Sequence, residues 1–195
     1  MKIVLASTSP FRKSMLEKLR IPFTTAKPQV DESPLQGESA IALVERLAIA
    51  KAKAIADTIN DGWVIGSDQV ATIDGEILGK PHHHDNAIKQ LQLCSGKTVR
   101  FVTGLCLYNA ATKEYQALVE PFDVKFRSLT EQQIELYLQA EQPYNCAGSF
   151  KSEGLGICLF EALQGKDPNT LIGLPLISLI TLFAEQQIDL LEYIQ

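Results

Sequence analysis

Lys2-Ile3-Val4-Leu5-Ala6-Ser7-Thr8-Ser9-Pro10-Phe11-Arg12-Lys13 opens with an apolar, β-branched run and then turns abruptly to small hydroxyl residues and a proline. Residues 2–6 fit a buried strand. Ser9 is placed to cap a helix and Pro10 to fill its first position. The spacing predicts a helix over about 10–19, with Met15, Leu16 and Leu19 on its apolar face. A strand that feeds straight into a helix start is the building unit of α/β folds.

Working outward, residues 21–26 read as a second strand, and 27–38, with two prolines and three acidic residues, as a loop. Ser39 caps the longest helix, about 40–59, with Leu43, Leu47, Ala50 and Ala54 as its apolar stripe. Glu45, Arg46, Lys51 and Lys53 are expected elsewhere around its axis. Residues 63–67 read as a buried strand, and Asp74-Gly75 marks a hairpin between 70–73 and 76–78. Asp85 is placed to cap a helix that stops at Ser95-Gly96. Two long strands, 98–109 and 114–126, follow, with Pro121 at a bulge or an edge. Thr130 and Gln133 form a capping box for a helix to about 140. A strand over 157–163 and two helices, 174–185 and 188–193, complete the order. Strands and helices mix irregularly, which predicts an α/β fold with a mixed sheet rather than a doubly wound parallel one.

The chain has 195 residues, 46% of them hydrophobic and 21% charged. A protein of this length exposes roughly 9,000 Å² folded against roughly 31,000 Å² unfolded, so its core needs no disulfide or structural metal. Length favours one domain over 1–195, with room for two lobes. The longest apolar stretch, 171–184, is broken by Gly173 and Pro175 and is too short to span a bilayer. The N-terminus lacks the long apolar region of a signal peptide. A net charge of −5 argues against a broad electrostatic grip on polymeric nucleic acid. A small anionic ligand stays open. Cys94, Cys106, Cys146 and Cys158 form no C-x-x-C pair and are expected as reduced core thiols of a cytosolic protein.

Four segments carry candidate chemistry. At Ser7 to Lys13 a strand end and a helix start aim free N–H groups at one point. Arg12 and Lys13 add cations where the helix dipole disfavours them. A polyanion such as a triphosphate explains that placement; an ordinary cap with solvated basic residues is the plain alternative. Gly66-Ser67-Asp68-Gln69 ends a buried strand, where α/β sheets place ligands. Asp68 there is either a general base or metal ligand, or a turn aspartate bonded to nearby backbone. Glu32, in a proline-flanked loop, and Lys80, between Gly79 and Pro81, are the third pair. Lys51 belongs with them or with the polar face of the long helix. His82-His83-His84 reads as a solvated loop, because neighbouring histidines do not easily converge on one ion. The stretch 148–156 holds three glycines around Glu153, as does a backbone that closely approaches a ligand, or a flexible connector.

Taken in order, these segments resemble the Maf family of nucleoside triphosphate pyrophosphatases. The resemblance runs through L-A-S-T-S-P-F-R-K, Asp31-Glu32, R-L-A-x-x-K-A at Lys51, G-S-D-Q at Asp68 and G-E-I-L-G-K-P at Lys80. It continues with S-G-K-T, T-G-L, A-G-S-F-K-S-E-G-L-G and L-I-G-L-P-L. It implies an elongated fold similar to that of inosine triphosphatase, with two lobes around a cleft. It also implies cleavage between the α and β phosphates with a divalent cation, Mg2+, Mn2+ or Co2+. A cytoplasmic location and a homodimer are further implications. Position by position, the acid/base residue falls on Asp68, and phosphate-handling or metal-associated positions on Ser7, Arg12, Glu32, Lys51 and Lys80. Glu32 and Asp68 are the metal candidates. Lys13 stands where relatives often carry a second arginine, and a lysine there lacks the bidentate fork.

Three positions separate subgroups of the family, and here they are Phe11, Gln69 and Glu153. Arginine, threonine and glutamine mark the branch acting on dTTP and UTP. The present set resembles the branch acting on 7-methyl-GTP. N7-methylation makes guanine cationic, and a cationic ring stacks well on an aromatic face. A carboxylate such as Glu153 accepts from N1–H and the exocyclic amine together. The expected activity is removal of a modified nucleotide from the pool. The alternatives are a dTTP/UTP pyrophosphatase, a non-catalytic nucleotide-binding regulator of cell division, and a capped-RNA binder. The expected partner is a small nucleotide, with no polymeric nucleic acid and no membrane.

Overall fold

A computed structural model describes residues 1–195. The elements are β1 (Ile3–Leu5), α1 (Pro10–Glu17), β2 (Thr24–Thr25), α2 (Ala40–Ala56), β3 (Trp63–Ile73) and β4 (Glu76–Leu78). They continue with α3 (His84–Cys94), β5 (Thr98–Asn109), β6 (Tyr115–Phe126), α4 (Glu131–Glu141), β7 (Phe160–Gly165), α5 (Pro168–Ile172) and α6 (Leu176–Glu185). The strands form one mixed sheet in the order β2-β1-β3-β5-β6-β7, with β4 paired to β3. The α/β class with a mixed sheet is therefore as expected: β1 is parallel to β2 and β3, while β4 and β7 are antiparallel to their neighbours.

The chain divides into two compact units. The first comprises Met1–Gln69, Thr103–Glu120 and Lys166–Gln195; the second comprises Val70–Val102 and Pro121–Gly165.

In the first unit, strand alternation sorts side chains between two helical layers. Ile3 and Leu5 of β1 and Ile65 of β3 pack with Met15 and Leu16 of α1 and Leu179, Leu182 and Phe183 of α6. Val4, Ala6 and Val64 point the other way, onto Ala48, Ala52, Ile55 and Ala56 of α2. Burying each large aliphatic group contributes roughly 1.5–3 kcal/mol before entropy is counted. The α2 layer lies close because the strands beneath it carry glycine: a Cβ on Gly66 would overlap the Ala48 carbonyl, and one on Gly104 the Val44 carbonyl.

The second unit centres on an aromatic cluster. Phe150 meets Phe101, Phe126 and Phe160 edge-on, with ring centroids 5.3, 5.5 and 4.8 Å apart. Its local signals act as expected. Asp74 and Gly75 take positive φ in the β3–β4 turn, and Thr130 with Gln133 closes both arms of the capping box of α4. Pro121 stands one residue before the β6–β7 pairing begins at Phe122, so its missing N–H costs no bond on the β7 side.

Several expectations are corrected. The segment 63–73 is one strand, because Gly66 accommodates α2 rather than ending the ladder, so Asp68 lies mid-strand and not at a strand end. The second strand shrinks to two residues, and β7 starts three residues late because residues 155–159 form a 3-10 turn. The final segment is also a 3-10 turn, and the helix α5 is additional. Helix α3 is capped from His83 without a side-chain bond, and Asp85 sits in its first turn. His84 is no solvated loop residue. It opens α3 with its ring nitrogens 3.0 Å from both Tyr144 Oη and Glu135 Oε2. Cys94 and Cys106 are core thiols, but Cys146 is half-buried and Cys158 exposed. No helix is long and apolar enough to cross a membrane.

Candidate active site

The buried stripe of α2 reads Leu43, Val44, Leu47, Ala48, Lys51, Ala52, Ile55 and Ala56. Lys51 is thus on the packed face, contrary to the expectation that it lay elsewhere around the axis, while Ala50 and Ala54 are only half-buried. A helical step of three or four from Leu47 and Ala48 puts residue 51 there. Its 5% exposure is tolerated because its ammonium group is paired twice. Lys51 Nζ lies 2.7 Å from Asp68 Oδ1 and 3.0 Å from Glu32 Oε1.

Alternation along β3 explains the pairing. Gly66 and Asp68 face α2, so the missing side chain at 66 lets α2 descend until Lys51 reaches Asp68. Pairing of β3 with β1 ends at Leu5↔Ile65, and pairing with β4 begins at Ala71↔Leu78. Residues 66–70 face neither of those strands. Asp68 is 7% exposed, and its second oxygen, Oδ2, receives no donor from the protein.

Glu32 sits on the loop 27–38, which is tied down rather than free. Arg46 grips Glu38 through two bonds of 2.6 and 2.7 Å and donates to the Ser33 carbonyl at 3.1 Å. Glu38 also accepts from the Leu35 amide at 2.9 Å. The Arg46 fork holds the Glu38 carboxyl down to about 2. Sequence reasoning missed this clamp, whose partners lie eight residues apart across a loop and a cap.

The opposite face of β3 carries Ser67 and Gln69. Ser67 Oγ donates to the Gly173 carbonyl at 2.9 Å, and so does Arg12 Nε, also at 2.9 Å. Arg12 is anchored through Nε, and its two terminal nitrogens have no acceptor within the first unit. Burial pushes its guanidinium down, and Asp68 and Glu32 pull it back up, so it shares one field with both carboxylates. Gly173 takes φ +107°, a conformation that side chains rarely adopt, and closes α5. Gln69 Nε2 donates to Thr103 Oγ1 at 2.8 Å and to the Thr170 carbonyl at 2.7 Å. Its amide nitrogen is thereby spent on the protein itself.

At the start of α1 the expected cap is present: Ser9 accepts from the Arg12 amide, and buried Ser7 accepts from the Ser9 amide at 3.1 Å. Phe11 is exposed in the first turn. Lys13 is solvent-facing and lies 3.5 Å from Glu17 one turn on. The first unit therefore gathers Arg12, Glu32, Lys51 and Asp68. Lys80 and Glu153 belong to the second unit, where both are exposed and Glu153 accepts from Ser152 Oγ.

A sequence model of Maf-like proteins matches residues 2–186. The chain belongs to the Maf family. This Maf protein is 60% identical over 189 residues to a 7-methyl-GTP pyrophosphatase of Colwellia psychrerythraea, covering 97% of this chain and 94% of the relative. It is 57% identical over 189 residues to the protein of that name from Pseudoalteromonas translucida, at the same coverage. The one from Pseudoalteromonas atlantica is 56% identical over 195 residues, the full length of both chains. Among solved structures, the Ham1 protein of Staphylococcus aureus superposes with a TM-score of 0.55 at 15% identity, over 96% of this chain and 100% of that one. That likeness concerns the fold of this Maf protein alone.

Proposed function

We propose that this protein hydrolyses 7-methyl-GTP to 7-methyl-GMP and diphosphate. The activity reading is carried by Lys51, whose ammonium group holds Asp68 and Glu32 together beside a guanidinium that has two unspent nitrogens. The substrate reading is supported by the names of the relatives above, and by an exposed aromatic ring at Phe11.

Phosphoryl transfer demands positioning and charge neutralisation more than covalent help. The free fork of Arg12 suits two phosphate oxygens at once, and the Ser7 hydroxyl with the positive end of the α1 dipole suits the same polyanion. Lys51 neutralises charge and fixes the position of Asp68 through Oδ1. Asp68 Oδ2 is the proton acceptor: water oxygen bonds to phosphorus at the α–β anhydride, its proton passes to Asp68, and the bridging P–O bond breaks. Lys13 supplies peripheral charge. Phe11 offers its exposed ring to the cationic base, and Gln69 acts on selectivity through its hold on α5.

The donor set fits a divalent cation, Mg2+, Mn2+ or Co2+. Two carboxylates, Glu32 and Asp68, stand on one lysine. No three His, Cys, Asp or Glu residues cluster into a cage, and an ion of the Mg2+ type needs only one or two carboxylates when substrate phosphates complete its shell. Such an ion supplies Lewis acidity and charge neutralisation to the triphosphate.

The test is diphosphate release by the purified protein from a nucleotide panel with each cation. The reading requires preference for 7-methyl-GTP. Preference for dTTP or UTP overturns the substrate, and binding without turnover of any triphosphate overturns the enzyme.

A further inference from the structure

Glu120, near the end of the first-unit part of β6, is a buried carboxylate, 6% exposed, with no part in the chemistry above. Its two oxygens are held by different helices. Oε1 accepts from Thr170 Oγ1 of α5 at 2.6 Å, and Oε2 accepts from Ser178 Oγ of α6. Ser178 in turn accepts from Lys166 Nζ at 3.0 Å, which brings a cation to the cluster. Asp167, fully buried, repeats the arrangement. Oδ1 accepts from the Asn169 amide of α5 at 2.8 Å, and Oδ2 from the Ile177 amide of α6, also at 2.8 Å.

Both carboxylates therefore bridge the same pair of helices, one residue group on each side of the short turn 173–175. That turn carries the Gly173 carbonyl, the acceptor for Arg12 Nε and Ser67 Oγ. The path from Glu120 to Arg12 is short and continuous. Thr170, held by Glu120, lies three residues before Gly173, and its own carbonyl accepts from the Gly173 amide at 3.0 Å. Gln69 and Thr103 bind that same carbonyl. Each Glu120 oxygen accepts from a hydroxyl, an arrangement that a carboxamide with one oxygen cannot reproduce. A helix of only five residues has little cooperativity of its own, so its place depends on such ties.

We propose that Glu120 is a positioning residue for Arg12, setting the Gly173 carbonyl that aims the guanidinium at the substrate phosphates. The proposal rests on the reading of Arg12 as a phosphate-binding group. In Glu120→Gln the amide nitrogen must donate where a hydroxyl formerly did, α5 loses one tie, and the Gly173 carbonyl shifts. A small misplacement of a binding group costs between about ten- and a hundred-fold.

The experiment has two arms. In the first, the Arg12 Nε–H resonance is followed by NMR without substrate. It should be protected from water exchange in the wild type and exchange at least about ten-fold faster in Glu120→Gln. In the second, diphosphate release from 7-methyl-GTP is measured for both proteins. KM should rise about ten-fold or more, with kcat changed far less, and the effect should vanish in an Arg12→Ala background. If Glu120→Gln does not fold, Thr170→Val, which removes one hydroxyl and keeps the carbonyl, carries both arms with the same expectation. Unchanged Arg12 exchange overturns the proposal, as does a KM penalty that persists undiminished with Arg12→Ala. A wild type that turns over no triphosphate strikes the proposed function instead, and the exchange arm still decides whether Glu120 sets Arg12.

Discussion

Lys51 reaches from the packed face of α2 to Asp68 in the middle of β3, 2.7 Å from nitrogen to oxygen, with Glu32 on its other side. The pair is nearly dry: the side chains of Lys51 and Asp68 are 6% and 10% exposed. A charge in that position is expensive unless matched, so each partner compensates the burial of the other.

Asp68→Asn should lower kcat by about a hundred- to ten-thousand-fold, the range for a lost general base. Nucleotide binding, followed by calorimetry, should survive, since Arg12 and Lys51 remain. Loss of binding together with turnover would assign Asp68 to holding the ligand instead.

Lys51→Met keeps the length of the stem but strands the Asp68 carboxylate. Removing one partner of a buried pair costs about 3–5 kcal/mol, and a fall of that size should appear in the urea midpoint at neutral pH. The loss should shrink in the double variant with Asp68→Asn, because the orphaned charge is then gone.

Gly66→Ala should be severe for so small a change. The added methyl overlaps the Ala48 carbonyl and crowds the Ala52 amide, both backbone atoms that cannot swing aside. Overpacking of this kind costs about 1–3 kcal/mol. Because α2 must lift to relieve it, activity should fall along with Tm, measured by calorimetry on the purified variant.

Acid stability of the 27–38 loop should follow Glu38. Its carboxyl is lowered from 4.5 to about 2 by the Arg46 fork and then by the Leu35 amide. A depressed carboxylate stabilises the folded form above its unfolded pKa, and that contribution is lost as pH falls through the folded value. The loop should therefore stay docked at pH 4 and release between about pH 4 and pH 2. Exchange of the Leu35 amide reports this, and in Glu38→Gln the amide should exchange fast at every pH.

Elements with local signals were legible in the sequence. Thr130 and Gln133 bond within four residues, Asp74-Gly75 turns on its own backbone, and the long strands β5 and β6 stand where expected. Ser9 and Pro10 start α1 as their chemistry demands. What escaped depends on distant partners. Gly66 looks like punctuation in a strand until α2 is laid across it. Lys51 looks like a surface charge until Asp68, seventeen residues on, takes its proton-bearing nitrogen. Gln69 gives no hint that its amide will spend itself on Thr103 and on a carbonyl 101 residues away. Glu120 and Gly173 were invisible for the same reason, since a buried carboxylate and a helix-ending glycine acquire meaning only from what folds onto them.

The two-residue alternation of β3 makes its length a fixed quantity. Deleting one residue ahead of Gly66 while the strand stays in the sheet would rotate everything downstream by half a turn. The carboxylate of Asp68 would swing to the side now occupied by the Gly173 carbonyl, and the Gln69 amide would meet the lysine. Surface loops of this protein can tolerate gained or lost residues, but in this stretch a single indel would be equivalent to exchanging the contents of two compartments.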